Sequence, residues 1–212
     1  MAKQGAPRDQ RMRQRLIQEC ARIMVEEGVR DYLVVKRKAA DRLNAPGTEN
    51  MPRNREIQEA VLDYQRLFRG DRHASHLREL REAALEAMQF FAAFRPRLVG
   101  SVLDGTASDW SDVNLHVFAD TPEDVAVFLM DRGIPFETAE RRLRFNRDDW
   151  EFYPVYRFMA GDVPVDLTVF SGGGLRQAPR SPVDGQPMDR ANRDAVRQLL
   201  NGEPELLVPP PG

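Results

Sequence analysis

Apolar residues recur every three or four positions through the first part of this chain, then switch to shorter runs, several with a period of two, in the second half. Met12, Leu16, Ile17, Cys20, Ile23 and Met24 share one face of a helix predicted over residues 10–27, with Gly28 as its stop. A second helix is predicted over 31–43, ended by the turn-forming residues Asn44, Ala45, Pro46 and Gly47. Ile57, Ala60, Val61, Tyr64, Leu67 and Phe68 give an apolar stripe to a third, over 54–68. A long fourth helix, capped by Asp71, is predicted to reach Phe94 before Pro96 ends it.

Beyond Pro96 the pattern reads as strand, turn, strand, helix. Strands are predicted over 97–100 and 113–119, and Thr121-Pro122-Glu123 opens a helix that runs to Asp131 and stops at Gly133. Further strands are predicted over 134–137, 141–145, 152–159 and 163–170, and a last helix over 190–200. The expected architecture is α+β: an N-terminal helical region over 1–70, a domain with a mixed sheet flanked by helices over 71–205, and a flexible proline-rich tail over 206–212.

Composition narrows the classes of function. No apolar run approaches the roughly 20 residues that span a bilayer, and residues 1–15 are polar and basic, so no membrane partner is expected and the chain is expected to be cytoplasmic. The single cysteine, Cys20, falls on an apolar helix face and is expected to be a core residue, which leaves no disulfide framework. Residues 1–95 hold 19 Lys or Arg against 14 Asp or Glu, while 96–212 hold 12 against 19. A basic half beside an acidic half is compatible with nucleic-acid contacts next to a cation site, although dispersed surface charge is the stronger account of it.

The chemistry concentrates between Gly100 and Leu115. Gly100-Ser101 follows the predicted strand residues Leu98-Val99, and a glycine there allows a sharp turn whose backbone amides and serine hydroxyl can approach phosphate oxygens. On the next strand, Asp112, Asn114 and His116 share one face and Val113, Leu115 and Val117 the other. Asp166 lies within the apolar run Val163-Pro164-Val165-Asp166-Leu167-Thr168-Val169, where a buried charge demands compensation by a cation.

In these residues the chain resembles the nucleotidyltransferase superfamily that includes DNA polymerase beta. The family motif is a hydrophobic residue, Gly-Ser, a variable loop, Asp-x-Asp or Asp-x-Glu, and another acid on a later strand; the likeness covers about residues 71–170. The resemblance implies a mixed sheet flanked by helices, a nucleoside triphosphate bound with magnesium or manganese, and nucleotidyl transfer to an acceptor that is a small molecule, a nucleic acid or a protein. By the same resemblance Gly100 and Ser101 hold the triphosphate, Asp112 and Asp166 are the catalytic acids, and Asp112, Asn114 and Asp166 are the metal ligands. Two positions depart from the pattern. Asn114 stands where the second acid belongs, offering metal a carbonyl oxygen without charge, and Asp104-Gly105 replaces the Arg-Gly of many bacterial members.

Three functions therefore stand side by side: an active nucleotidyltransferase, a nucleotide-binding or interaction protein with a degenerate site on the same fold, and a nucleic-acid-binding regulator using the N-terminal helices, with Arg37 and Lys38 as phosphate contacts. His116 is expected to be a packed core histidine, His73 and His76 surface residues, Asp148, Asp149 and Glu151 a solvated turn, and Gly172–Gly174 a flexible connection.

Overall fold

The computed structural model describes residues 7–46, 48–146 and 149–202; the expected proline-rich tail, Gly47 and Asp148 lie outside them. The chain divides into two compact units. One contains the described residues as far as His73, with 108–110 and 182–184, and the other contains most of the remainder.

The first unit is helical. Helices Pro7–Glu27 (α1), Tyr32–Arg42 (α2) and Asn54–Phe68 (α3) enclose a core of Leu16, Cys20, Ile23, Val35, Ala39, Ile57 and Val61. Cys20 is fully buried there, and the apolar surroundings push its thiol pKa up to about 11. Two features set the helix ends. Gly28 adopts φ 67°, the left-handed conformation that stops α1, and Asp31 Oδ1 accepts the Val34 amide at 2.9 Å to start α2. Arg13 ties α1 to α3 by donating to both carboxylate oxygens of Glu56 and to the Met51 carbonyl.

Gly70–Phe90 (α4) begins one residue before Asp71, which therefore sits in its first turn and does not cap it. The helix also stops short of Phe94: Ala92–Phe94 form a 3-10 turn, and Arg95 at φ 48° redirects the chain into the first strand.

The second unit is built on five strands: Arg97–Val99 (β1), Val113–Ala119 (β2), Glu137–Arg144 (β3), Trp150–Ala160 (β4) and Val163–Ser171 (β5). Their spatial order is β1-β2-β5-β4-β3, with β2 and β5 parallel and every other neighbouring pair antiparallel. This is the mixed sheet that the alternation of periods predicts, preceded by helices. One difference is a single strand, β3, in place of two short ones over 134–137 and 141–145. Its run Glu140-Arg141-Arg142 hides the strand signal, because an edge strand tolerates charge along its length.

Strand alternation gives the sheet two unlike faces. Val113, Leu115, Val117, Val165, Leu167, Val169, Tyr156 and Phe158 pack in one core with α4, Pro122–Asp131 (α6) and Arg193–Gly202 (α7). The opposite face presents Asn114, His116, Asp166, Thr168 and Arg157 toward one end and the Phe118–Phe170 cluster toward the other. The last helix starts at Arg193 and not at Arg190, because Ala191 is drawn into extended backbone bonds with Leu98 and Asn192 Oδ1 accepts the Ala195 amide.

Candidate functional site

The end of β1 delivers the Gly100-Ser101 turn to the polar face. Gly100 has φ 74° and ψ −153°, a conformation confined to glycine, although a Cβ there would meet nothing within 4 Å. The constraint is thus on the backbone and not on space. Ser101–Asp104 (α5) is a single helical turn, too short to hold itself in place. The buried Arg81 of α4 fixes it, donating from Nε to the Val102 carbonyl at 3.1 Å and from Nη2 to the Leu103 carbonyl at 3.2 Å.

Strand register brings the remaining residues to this turn. Val99 pairs with Asn114, so the antiparallel run of β1 and β2 carries Gly100-Ser101 alongside Asp112-Val113, and Ser101 Oγ lies 3.3 Å from Ser111 Oγ. Asn114 in turn pairs directly with Asp166 across the parallel β2–β5 ladder. Strand pairing thus sets Gly100 and Ser101 beside the start of β2 and Asn114 opposite Asp166, from three separate stretches of chain.

The centre of this group is a guanidinium. Arg141 reaches from β3 across β4 and β5, roughly 5 Å per strand, to the β2 side chains. Its Nη1 donates to Asn114 Oδ1 at 2.9 Å and to Thr168 Oγ1 at 3.2 Å, and its Nη2 donates to Asp166 Oδ2 at 2.7 Å. Arg157 adds a second cation, its Nε 3.4 Å from Asp166 Oδ1. Asp166 is only 4% exposed, so the two arginines supply the compensation that a carboxylate in an apolar strand requires. Burial lowers the pKa of Arg141 while Asp166 opposes the shift, and a guanidinium so placed keeps its proton.

Asn114 is engaged at both ends. Its amide nitrogen donates to the Asp112 carbonyl at 3.0 Å, which turns Oδ1 toward Arg141. The oxygen that would face a metal ion faces a cation already present. Among the described residues, no three His, Cys, Asp or Glu side chains converge to hold a metal ion. The donor set of Asp112, an arginine-bound Asn114 and a doubly paired Asp166 does not fit a two-magnesium centre in this arrangement, since such a centre is held by uncommitted carboxylate charge.

Farther along the same face His116 is buried, with Arg190 Nε donating to its Nδ1 at 3.0 Å and its ring tilted against Phe170 with centroids 4.6 Å apart. Burial, then the charges of Arg190 and Arg141, hold its pKa well below the usual histidine value, so it is a neutral packed residue. Arg190 lies over Phe118 and Phe170, and burial brings its own pKa down to about 10. In the helical unit Lys38, an expected phosphate contact, donates instead to Glu27, while Arg37 is exposed.

Arg141 and Arg157 are the residues that sequence patterns do not single out. Asp166 announces a need for a cation, but 28 arginines compete for the role and only the strand order selects these two. No protein-family model matches this chain, and no curated protein matches it in sequence.

Proposed function

We infer that the chain is a nucleotidyltransferase-like protein that binds a nucleotide beside the Gly100-Ser101 turn and does not transfer it. The observation that supports this reading is the Arg141 guanidinium bonded at once to Asn114 and Asp166, in the place where the resemblance puts metal ligands. The glycine-only turn, the Ser101 hydroxyl and two arginines suit a phosphorylated ligand. Nucleotidyl transfer asks more of the same residues. It requires the attacking and leaving oxygens to be clamped by divalent cations, and the acids that would hold those cations are reduced to two, one of them neutralised by arginine.

The test combines binding and turnover on the same preparation. Calorimetric titration with the common nucleoside triphosphates is expected to detect binding, and incubation with labelled triphosphates and pooled small-molecule, nucleic-acid and protein acceptors is expected to leave the label untransferred. Label incorporation that disappears in Asp112→Ala would instead establish an active transferase.

A further inference from the structure

The geometry points to a nucleotide site that is independent of divalent metal, in which Arg141 and Arg157 take over the neutralising role of the cations and the ligand's phosphates are bound in metal-free form. This rests on the nucleotide-binding reading above and specifies the ionic form of the ligand.

A cluster of three carboxylates repels a polyphosphate, and in such a site metal ions are what make binding possible. Here the second acid is replaced by Asn114, and the buried acid Asp166 is paired with both Arg141 and Arg157. That carboxylate is compensated without a metal ion. An anion can therefore approach without the repulsion that a bare acid cluster would impose.

The arginines also retain capacity to bind. Arg141 uses three N–H groups in its bonds to Asn114, Thr168 and Asp166, out of the five a guanidinium carries. Its side chain is 29% exposed and that of Arg157 51%, whereas that of Asp166 is 6% exposed. The acid lies beneath and the cations are on the solvent side, so an incoming ligand meets the guanidinium groups before the carboxylate. Asp166 and Asn114 act as positioning residues that hold Arg141 flat across the strands. A magnesium-complexed phosphate would bring a second cation against this pair and lose part of its own attraction to it.

The deciding experiment titrates ATP and inorganic triphosphate into the full-length protein by calorimetry, once in excess EDTA and once in excess magnesium. Binding in EDTA is expected to be as tight as in magnesium or tighter, and Arg157→Gln, at a half-exposed position, is expected to weaken it about tenfold. The double variant Arg141→Met/Asn114→Asp removes the central guanidinium and restores the second acid. It is expected to reverse the dependence, binding ATP only when magnesium or manganese is present. Circular dichroism accompanies each variant, and the wild-type comparison decides the matter if the double variant does not fold. Wild-type binding that requires magnesium overturns the inference, as does undiminished binding in Arg157→Gln. Absence of ATP binding in both wild-type titrations overturns the nucleotide reading itself, a separate result.

Discussion

Arg141 Nη2 lies 2.7 Å from Asp166 Oδ2, although β4 separates the strands that carry the two residues. A side chain spanning a neighbouring strand to reach a buried acid links the edge of the sheet to its centre. Asp166 is nearly inaccessible, so removal of its main partner leaves a buried charge with only the longer contact to Arg157.

Arg141→Met is therefore expected to lower the stability of the sheet unit by about 3 kcal/mol, measured by urea denaturation. Arg157→Gln, at a half-exposed position, is expected to cost less than about 1 kcal/mol. In Arg141→Met/Asp166→Leu the weakly compensated charge is gone, and most of the lost stability is expected to return. A double variant as unstable as the sum of its two single variants would show that the pair is not energetically coupled.

His116 makes the sheet unit sensitive to mild acid. Its folded-state pKa is depressed, so the unfolded chain takes up a proton that the fold excludes, and the stabilising contribution is present above the ordinary histidine pKa and lost as pH falls through it. As pH falls below about 6.5 the stability of the sheet unit is expected to decrease through this residue. Comparison of denaturation midpoints with those of His116→Gln checks the slope. An unchanged slope in the variant would assign the effect to other groups.

The helical unit is expected to respond at lower pH. Arg42 and then Lys38 hold the Glu27 carboxyl pKa down to about 2, and Arg22 and Arg42 lower that of Glu19. Depressed carboxylate values stabilise the fold above the ordinary glutamate pKa of about 4.3, and that contribution disappears as pH drops from there toward 2. Amide exchange in α1 and α2 is expected to accelerate across this window, and less so in Glu27→Gln.

Gly28 is constrained twice over. Its φ is 67°, and a Cβ would lie 2.7 Å from Trp110 Cγ, closer than the ring can tolerate without moving. Gly28→Ala is expected to destabilise the helical unit by about 1–3 kcal/mol. The same substitution is expected to shift the Trp110 emission, which can be isolated in a Trp150→Phe background.

Much of the fold is legible in periodicity because burial on one face leaves a mark in sequence. The stripes of α1 and α3, the alternation of β2 and the capped start of α6 follow from residue type alone, and Gly100-Ser101, Asp112, Asn114 and Asp166 can all be picked out before their proximity is known. Edge features are less legible. β3 faces solvent with charged residues and carries no hydrophobic signature, and Ala191 leaves the last helix for a backbone bridge that no side-chain pattern encodes. The role of Arg141 depends on β3 lying beyond β4 and β4 beyond β5, a fact of topology that local spacing does not contain.

The bridge between Leu98 and Ala191 has a bearing on self-association. The Leu98 amide donates to the Ala191 carbonyl and the Ala191 amide donates back, each at 2.9 Å, so the outer margin of β1 is occupied at that point by the chain itself. The far margin, β3, carries Glu137, Glu140, Arg142 and Arg144, whose charges resist an approaching foreign strand. A sheet plugged on one flank and guarded electrostatically on the other is protected against growing sideways into a stack of copies.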